Sequence, residues 1–158
     1  MRKIWIPLIV IALIGSAVYA KLSVFSETPE KGNVTAANGI KFIDEDWKLA
    51  LKKAASEKKY IFVDAYASWC GPCKLLKLTT FKNKKAAEFF NEQFINVSID
   101  MEKGQGPELS GKWGVQAFPT LIIFTPEGKP VIGTIGMIKV EDLIKFGKEG
   151  LQKGALIK

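Results

Sequence analysis

Histidine is absent from this chain of 158 residues, and cysteine occurs only twice, as Cys70 and Cys73. The missing imidazole excludes Ser/His/Asp and Cys/His catalysis, which need it as a base. Two cysteines without histidine also cannot make a four-ligand Cys/His zinc site within one chain. No arginine-rich stripe interleaved with aromatic residues is present, so the signature of a nucleic-acid interface is lacking and no nucleic-acid partner is expected. The formal charge of +7 comes mostly from scattered lysines, among them Lys52, Lys53, Lys58, Lys59, Lys82, Lys84 and Lys85. Spaced in that way they read as solvated helix faces rather than as a patch for an acidic partner. Internal repeats and low-complexity tracts are absent too.

Apolar residues make up 47% of the chain, enough for one core with modest extensions. Residues 1–20 read as a positive start (Arg2, Lys3), an apolar run over 4–14, and small residues after Gly15-Ser16. Val18 and Ala20 fit the −3 and −1 positions of a cleavage site. A cleaved export signal and an uncleaved anchor over residues 4–20 both remain open; Pro7 and the small-residue end favour cleavage. No cysteine lies near residue 20, so a lipidated cysteine cannot serve as tether. Either way the remainder is expected to face a periplasmic or otherwise extracytoplasmic space.

Residues 21–38 are polar, contain Pro29 and Gly32, and read as a linker. From Gly39 to residue 158 the pattern is that of one α/β domain. Short strands are expected over 40–43, 60–67, 94–99, 120–124 and 131–135. A helix capped by Asp44 or Asp46 should bury Trp47, Ala50 or Leu51, and Ala54. A second starts near Gly71, bends near 79–83 and resumes to residue 92, and one or two helical turns fit 108–113. The last, over 140–151, carries Leu143, Ile144 and Leu151 as its apolar stripe. Residues 125–128 (Thr-Pro-Glu-Gly) mark a hairpin turn. The order predicts a central mixed β-sheet with helices on both faces.

The chemistry concentrates in Trp69-Cys70-Gly71-Pro72-Cys73-Lys74. Two cysteines separated by two residues close a small disulfide only where the backbone turns sharply, as it does where a strand gives way to a helix. That position sets the first sulfur beside the free N–H groups of the helix start, which favour its thiolate. Pro72 suits the first helical turn, where its missing N–H costs nothing. Cys73, one turn in, should be more buried and less acidic. Cys70 is therefore the expected nucleophile, forming a mixed disulfide that Cys73 resolves. Two thiols suffice for this exchange, and no cofactor or metal is called for.

Here the chain resembles the thioredoxin family, from about Phe42 to Leu151. Asp64 matches the family's buried carboxylate, which assists proton movement at the resolving cysteine. Phe118-Pro119-Thr120 matches the cis-proline loop, Gly128 the hairpin glycine, and Gly136 the glycine before the last helix. The resemblance implies a thioredoxin fold, catalytic roles for Cys70, Cys73 and Asp64, and substrate contacts from Trp69, Gly71, Pro72, Phe118, Pro119 and Gly136. Each has a plainer reading: Asp64 as a hydrogen-bonded buried acid, Pro119 as an ordinary trans proline, Trp69 as packing. Where many members carry a lysine near the buried aspartate, this chain has Asn96. The loop 101–107 is longer than in the minimal fold. With Thr79-Thr80-Phe81 and Phe89-Phe90-Asn91, it is similar to the exported branch that includes the C-terminal domain of DsbD-type reductases.

Gly-Pro between the cysteines resembles thioredoxin more than the strong oxidants, so an extracytoplasmic reductant of protein disulfides is expected, acting as a monomer. Such a reductant needs electrons, and a membrane-bound thiol reductant is the donor implied. An oxidase or isomerase of the same fold, or a non-catalytic binding or chaperone module, are the alternatives.

Overall fold

The computed structural model describes residues 39–157. The expected signal or anchor over 1–20 and the linker over 21–38 lie outside them. Among the described residues no helix is long and apolar enough to cross a membrane.

The chain order is β1 (Ile43–Asp44), α1 (Trp47–Glu57), β2 (Tyr60–Tyr66), α2 (Gly71–Leu78), a 3-10 turn (Thr80–Lys82), α3 (Lys84–Gln93), β3 (Phe94–Asp100), α4 (Gly106–Trp113), β4 (Thr120–Phe124), β5 (Pro130–Ile135) and α5 (Val140–Gly154). The five strands form one sheet in the order β1-β3-β2-β4-β5. β1 and β2 each run parallel to β3, whereas β4 lies antiparallel to both β2 and β5. This is the thioredoxin fold.

The alternation of β2 decides what lies where. Ile61, Val63 and Ala65 point to one face, against Trp47, Ala50 and Ala54 of α1 and Leu109 of α4. Phe62 points to the other, among Leu76 of α2, Phe90 of α3 and Leu143 of α5. Period two places Asp64 on the Phe62 face, the one covered by α2. Parallel register pairs Asp64 with Ser98 of β3.

Local chemistry fixes the ends of the elements. Asp46 caps α1, its Oδ1 accepting from the Leu49 N–H at 2.8 Å. The expected bend after α2 falls at Thr79, whose Oγ donates to the Leu75 carbonyl at 2.7 Å. Asn83 then caps α3 through the N–H groups of Lys85 and Ala86.

Two expectations need correction. The first strand spans Ile43–Asp44, not residues 40–43. Ile40 N–H donates instead to Phe81 O, and Lys41 N–H to Asn91 Oδ1, so neither is left for a ladder. The inner face of α5 is Leu143, Phe146, Gly147, Gly150 and Gly154, with Leu151 beside it. Ile144 belongs to neither core cluster, and the glycines allow α5 to lie close on the sheet.

Candidate active site

Past the end of β2, the chain turns through Ala67, Ser68 and Trp69, with Cys70 N–H donating to Ala67 O at 3.0 Å. Cys70 caps α2 in extended backbone, and Pro72 occupies the first turn. Cys70 and Cys73 are bonded to one another, their Cα atoms 5.3 Å apart. The Cys73 backbone N–H donates to Cys70 Sγ at 3.1 Å. Thus the helix start aims a donor at the first sulfur. When the bridge opens, the same donor and the helix dipole stabilise a thiolate there.

The two cysteines differ less in burial than the spacing implies. Cys70 is 3% exposed and Cys73 1%. Both cysteines of the closed bridge are buried, and Tyr66 and Phe118 pack against the pair. Around them Trp69 is 67% exposed, and Gly71 and Pro72 are open to solvent.

Distant segments complete the rim. The Phe118–Pro119 peptide is cis, and the Phe118 ring stands edge-on to Trp69 with centroids 6.0 Å apart. Pro119 O accepts from the Gly136 N–H at 2.8 Å. Gly136 sits at φ +94°, in the left-handed region that favours glycine. Residues unforeseen in the sequence hold this rim in place. Trp69 Nε1 donates to Glu102 Oε2 at 2.6 Å. Lys103 Nζ reaches Ser68 Oγ at 3.0 Å and Asp100 Oδ2 at 3.3 Å. The loop after β3 therefore buttresses the turn that carries Cys70.

Beneath the surface Asp64 is fully buried. Ser98 Oγ donates to its Oδ2 at 3.0 Å, and Lys77 Nζ of α2 lies 3.5 Å from the same oxygen. Oδ1 has no hydrogen-bond partner among the described residues. Burial pushes the Asp64 carboxyl up to about 6, against the opposing pull of Lys77 and Ser98. The Lys77 ammonium also sits over the Tyr66 ring, 3.3 Å from its centroid. Burial, then the hydrogen bond to Glu45, holds the Tyr66 phenol above its usual value.

Residues 39–149 match the family model described as Thioredoxin. The chain belongs to the thioredoxin family. It is 36% identical to Thioredoxin H-type 2 of Nicotiana tabacum over 112 residues, which covers 71% of this chain and 86% of that one. Among solved structures it is similar to a candidate disulphide-isomerase from Bacteroides thetaiotaomicron, with 42% identity and a TM-score of 0.66 over 73% of this chain and 96% of the other. A thioredoxin from Thermus thermophilus shares the fold at 17% identity and TM-score 0.65, covering 72% of this chain and 89% of its own.

As a thioredoxin-family protein with a closed Cys-x-x-Cys bridge, the chain is a thiol–disulfide oxidoreductase. Its departures from the common pattern are now specific. Asn96 makes no hydrogen bond to the buried acid: its Nδ2 serves Lys41 O, Phe90 O and Asn91 Oδ1. The cation beside Asp64 comes instead from Lys77, on the helix that begins at the cysteines. The spacing Cys73-x3-Lys77, one turn of helix, was the available signal.

Proposed function

We propose that this protein reduces protein disulfides in an extracytoplasmic space, drawing electrons from a membrane-bound thiol donor. The observation that carries the reading is the Cys70–Cys73 bridge at the N-terminus of α2, with Gly71-Pro72 inside it, as in thioredoxin itself. The donor opens this bridge, transferring two electrons and leaving two thiols. Cys70 thiolate attacks one sulfur of a substrate disulfide, the other sulfur leaves as a thiolate, and a mixed disulfide forms. Cys73 gives its proton to the Asp64 carboxylate and attacks Cys70 Sγ; the second substrate sulfur leaves, and the bridge is restored. Trp69, Phe118, Pro119 and Gly136 receive the substrate backbone. Supporting export are the charged start, apolar run and small residues of positions 1–20. The longer loop after β3 supports kinship with the exported branch that includes DsbD C-terminal domains.

An isomerase is the second reading, favoured by the 42% identity to the Bacteroides thetaiotaomicron protein. Two measurements separate them: the equilibrium potential of the couple against glutathione, and activity on insulin versus scrambled ribonuclease. A reductant has a potential near thioredoxin's, roughly −270 mV, and reduces insulin; an isomerase sits near roughly −180 mV and reactivates the scrambled enzyme. A strongly oxidising couple that reduces no insulin refutes the proposal. Fractionation of the native host tests the location, and recovery in the cytoplasm contradicts it.

A further inference from the structure

A groove of about 150 Å³ opens between β1 and α2, lined by Phe42, Asp44, Lys77, Lys82 and Ser98 among others. It shares no lining residue with the rim formed by Trp69, Cys70, Phe118, Pro119 and Gly136. Asp64 does not line it; the two groups that touch Asp64 Oδ2 do. Ser98 Oγ thus stands between groove and carboxylate, and Lys77 Nζ donates to that Oγ at 2.9 Å. With one donor already on its oxygen, the hydroxyl has a free hydrogen to direct, and the structure directs it at Asp64.

We propose that this groove is the port through which Asp64 exchanges its proton with solvent, with Ser98 as the relay and Lys77 as the group that orients it. The steps balance. When Asp64 is ionised, the Ser98 hydroxyl donates to Oδ2. Once Asp64 holds a proton on Oδ2, that O–H donates to Ser98 Oγ while the Ser98 hydrogen turns to a water in the groove. Release passes the Ser98 hydrogen to that water and the Asp64 proton to Ser98 Oγ, leaving the carboxylate. The charged groups around the path are Lys77 from α2, Lys82 from the 3-10 turn, Asp44 at the end of β1 and Glu45 just after it; on the opposite side, the β4 partner of Asp64 is the apolar Leu121. Asp44 is exposed and supplies a solvent-side carboxylate in the same groove.

The functional point is separation. A docked protein covers the rim, while the Asp64 side chain is only 1% exposed. A port behind α2 lets the buried acid return to its starting ionisation without release of the substrate. Ser98 and Lys77 act through Asp64 and are positioning residues.

The inference rests on the reading that Asp64 serves the cysteine couple, yet it is tested without turnover, on the resting disulfide form and on a peptide-linked Cys73→Ala variant compared with the same variant unlinked. The probe is the carbon-13 side-chain carboxyl resonance of Asp64, followed through its titration. The unmodified protein should show one averaged resonance. Ser98→Ala should slow exchange by about tenfold or more, broadening or splitting the resonance, and Ser98→Thr, which keeps the hydroxyl, should restore averaging. Linking a peptide to Cys70 in Cys73→Ala should leave the exchange rate unchanged. Unaltered exchange in Ser98→Ala, or exchange slowed by the peptide, overturns the port. Failure of the Asp64 reading looks different: Asp64→Asn would then reduce insulin at the full rate.

Discussion

Asp64 holds its proton to about pH 6 in the folded chain, against 3.8 for an unperturbed side chain. Between those values the folded protein binds more protons than the unfolded one, so stability falls as pH rises through 6. The group's contribution is neutral below 3.8 and unfavourable by about 3 kcal/mol at pH 7. Asp64→Asn should therefore raise stability by about 1–3 kcal/mol at pH 7 and by almost nothing at pH 4, while slowing disulfide reduction. Denaturant unfolding at the two pH values checks the first part; an equal gain at both rules out the burial argument. Lys77 works in the opposite sense. Removing its charge in Lys77→Met should move the Asp64 titration further upward, which the same carboxyl resonance would report. A downward shift would mean that the ammonium is not the partner the geometry shows.

At the scale of elements, two sites carry separable predictions. Asp46→Ala removes the α1 cap and should cost about 1 kcal/mol without altering activity, since α1 lies on the sheet face away from Asp64. Gly106 begins α4 where a Cβ would run into the Asp100 carbonyl, with Met101 Cα also only 2.7 Å away. Both obstacles are backbone and cannot swing aside. Gly106→Ala should cost about 1–3 kcal/mol and disturb the loop that brings Glu102 to Trp69. Its signature is a change in Trp69 fluorescence, which Asp46→Ala should not produce.

These elements also show what the sequence made readable. Wherever an element is set by neighbours in the chain, it could be read: the apolar run of β2, the Asp46 cap, the bend at Thr79, the Thr120–Phe124 strand and the cysteine pair before a helix. Hidden were features that depend on register and distant partners. Ser98 meets Asp64 only because β2 and β3 pair in parallel with those two residues opposed. Lys77 arrives because α2 crosses the same face. Nothing around Asn96 signalled that the cation had moved to another element. The start of β1 was misplaced for a similar reason, since Phe81 and Asn91, far along the chain, take the backbone groups of Ile40 and Lys41.

Across the described residues, one sheet brings the cysteine pair and the loops proposed to dock the substrate to the same end. The cysteine turn follows β2, the cis-proline loop precedes β4 and the Gly136 turn follows β5, so three connections converge on a bridge that none could present alone. The account stands on Cys70 being the attacking atom and Cys73 the one that resolves. The most direct measurement exposes Cys73→Ala, reduced beforehand, to a disulfide-bonded protein substrate and maps the adduct by mass spectrometry. The account predicts a stable mixed disulfide on Cys70, and no adduct in Cys70→Ala under the same conditions. An adduct that forms equally well on Cys73 in Cys70→Ala would contradict it.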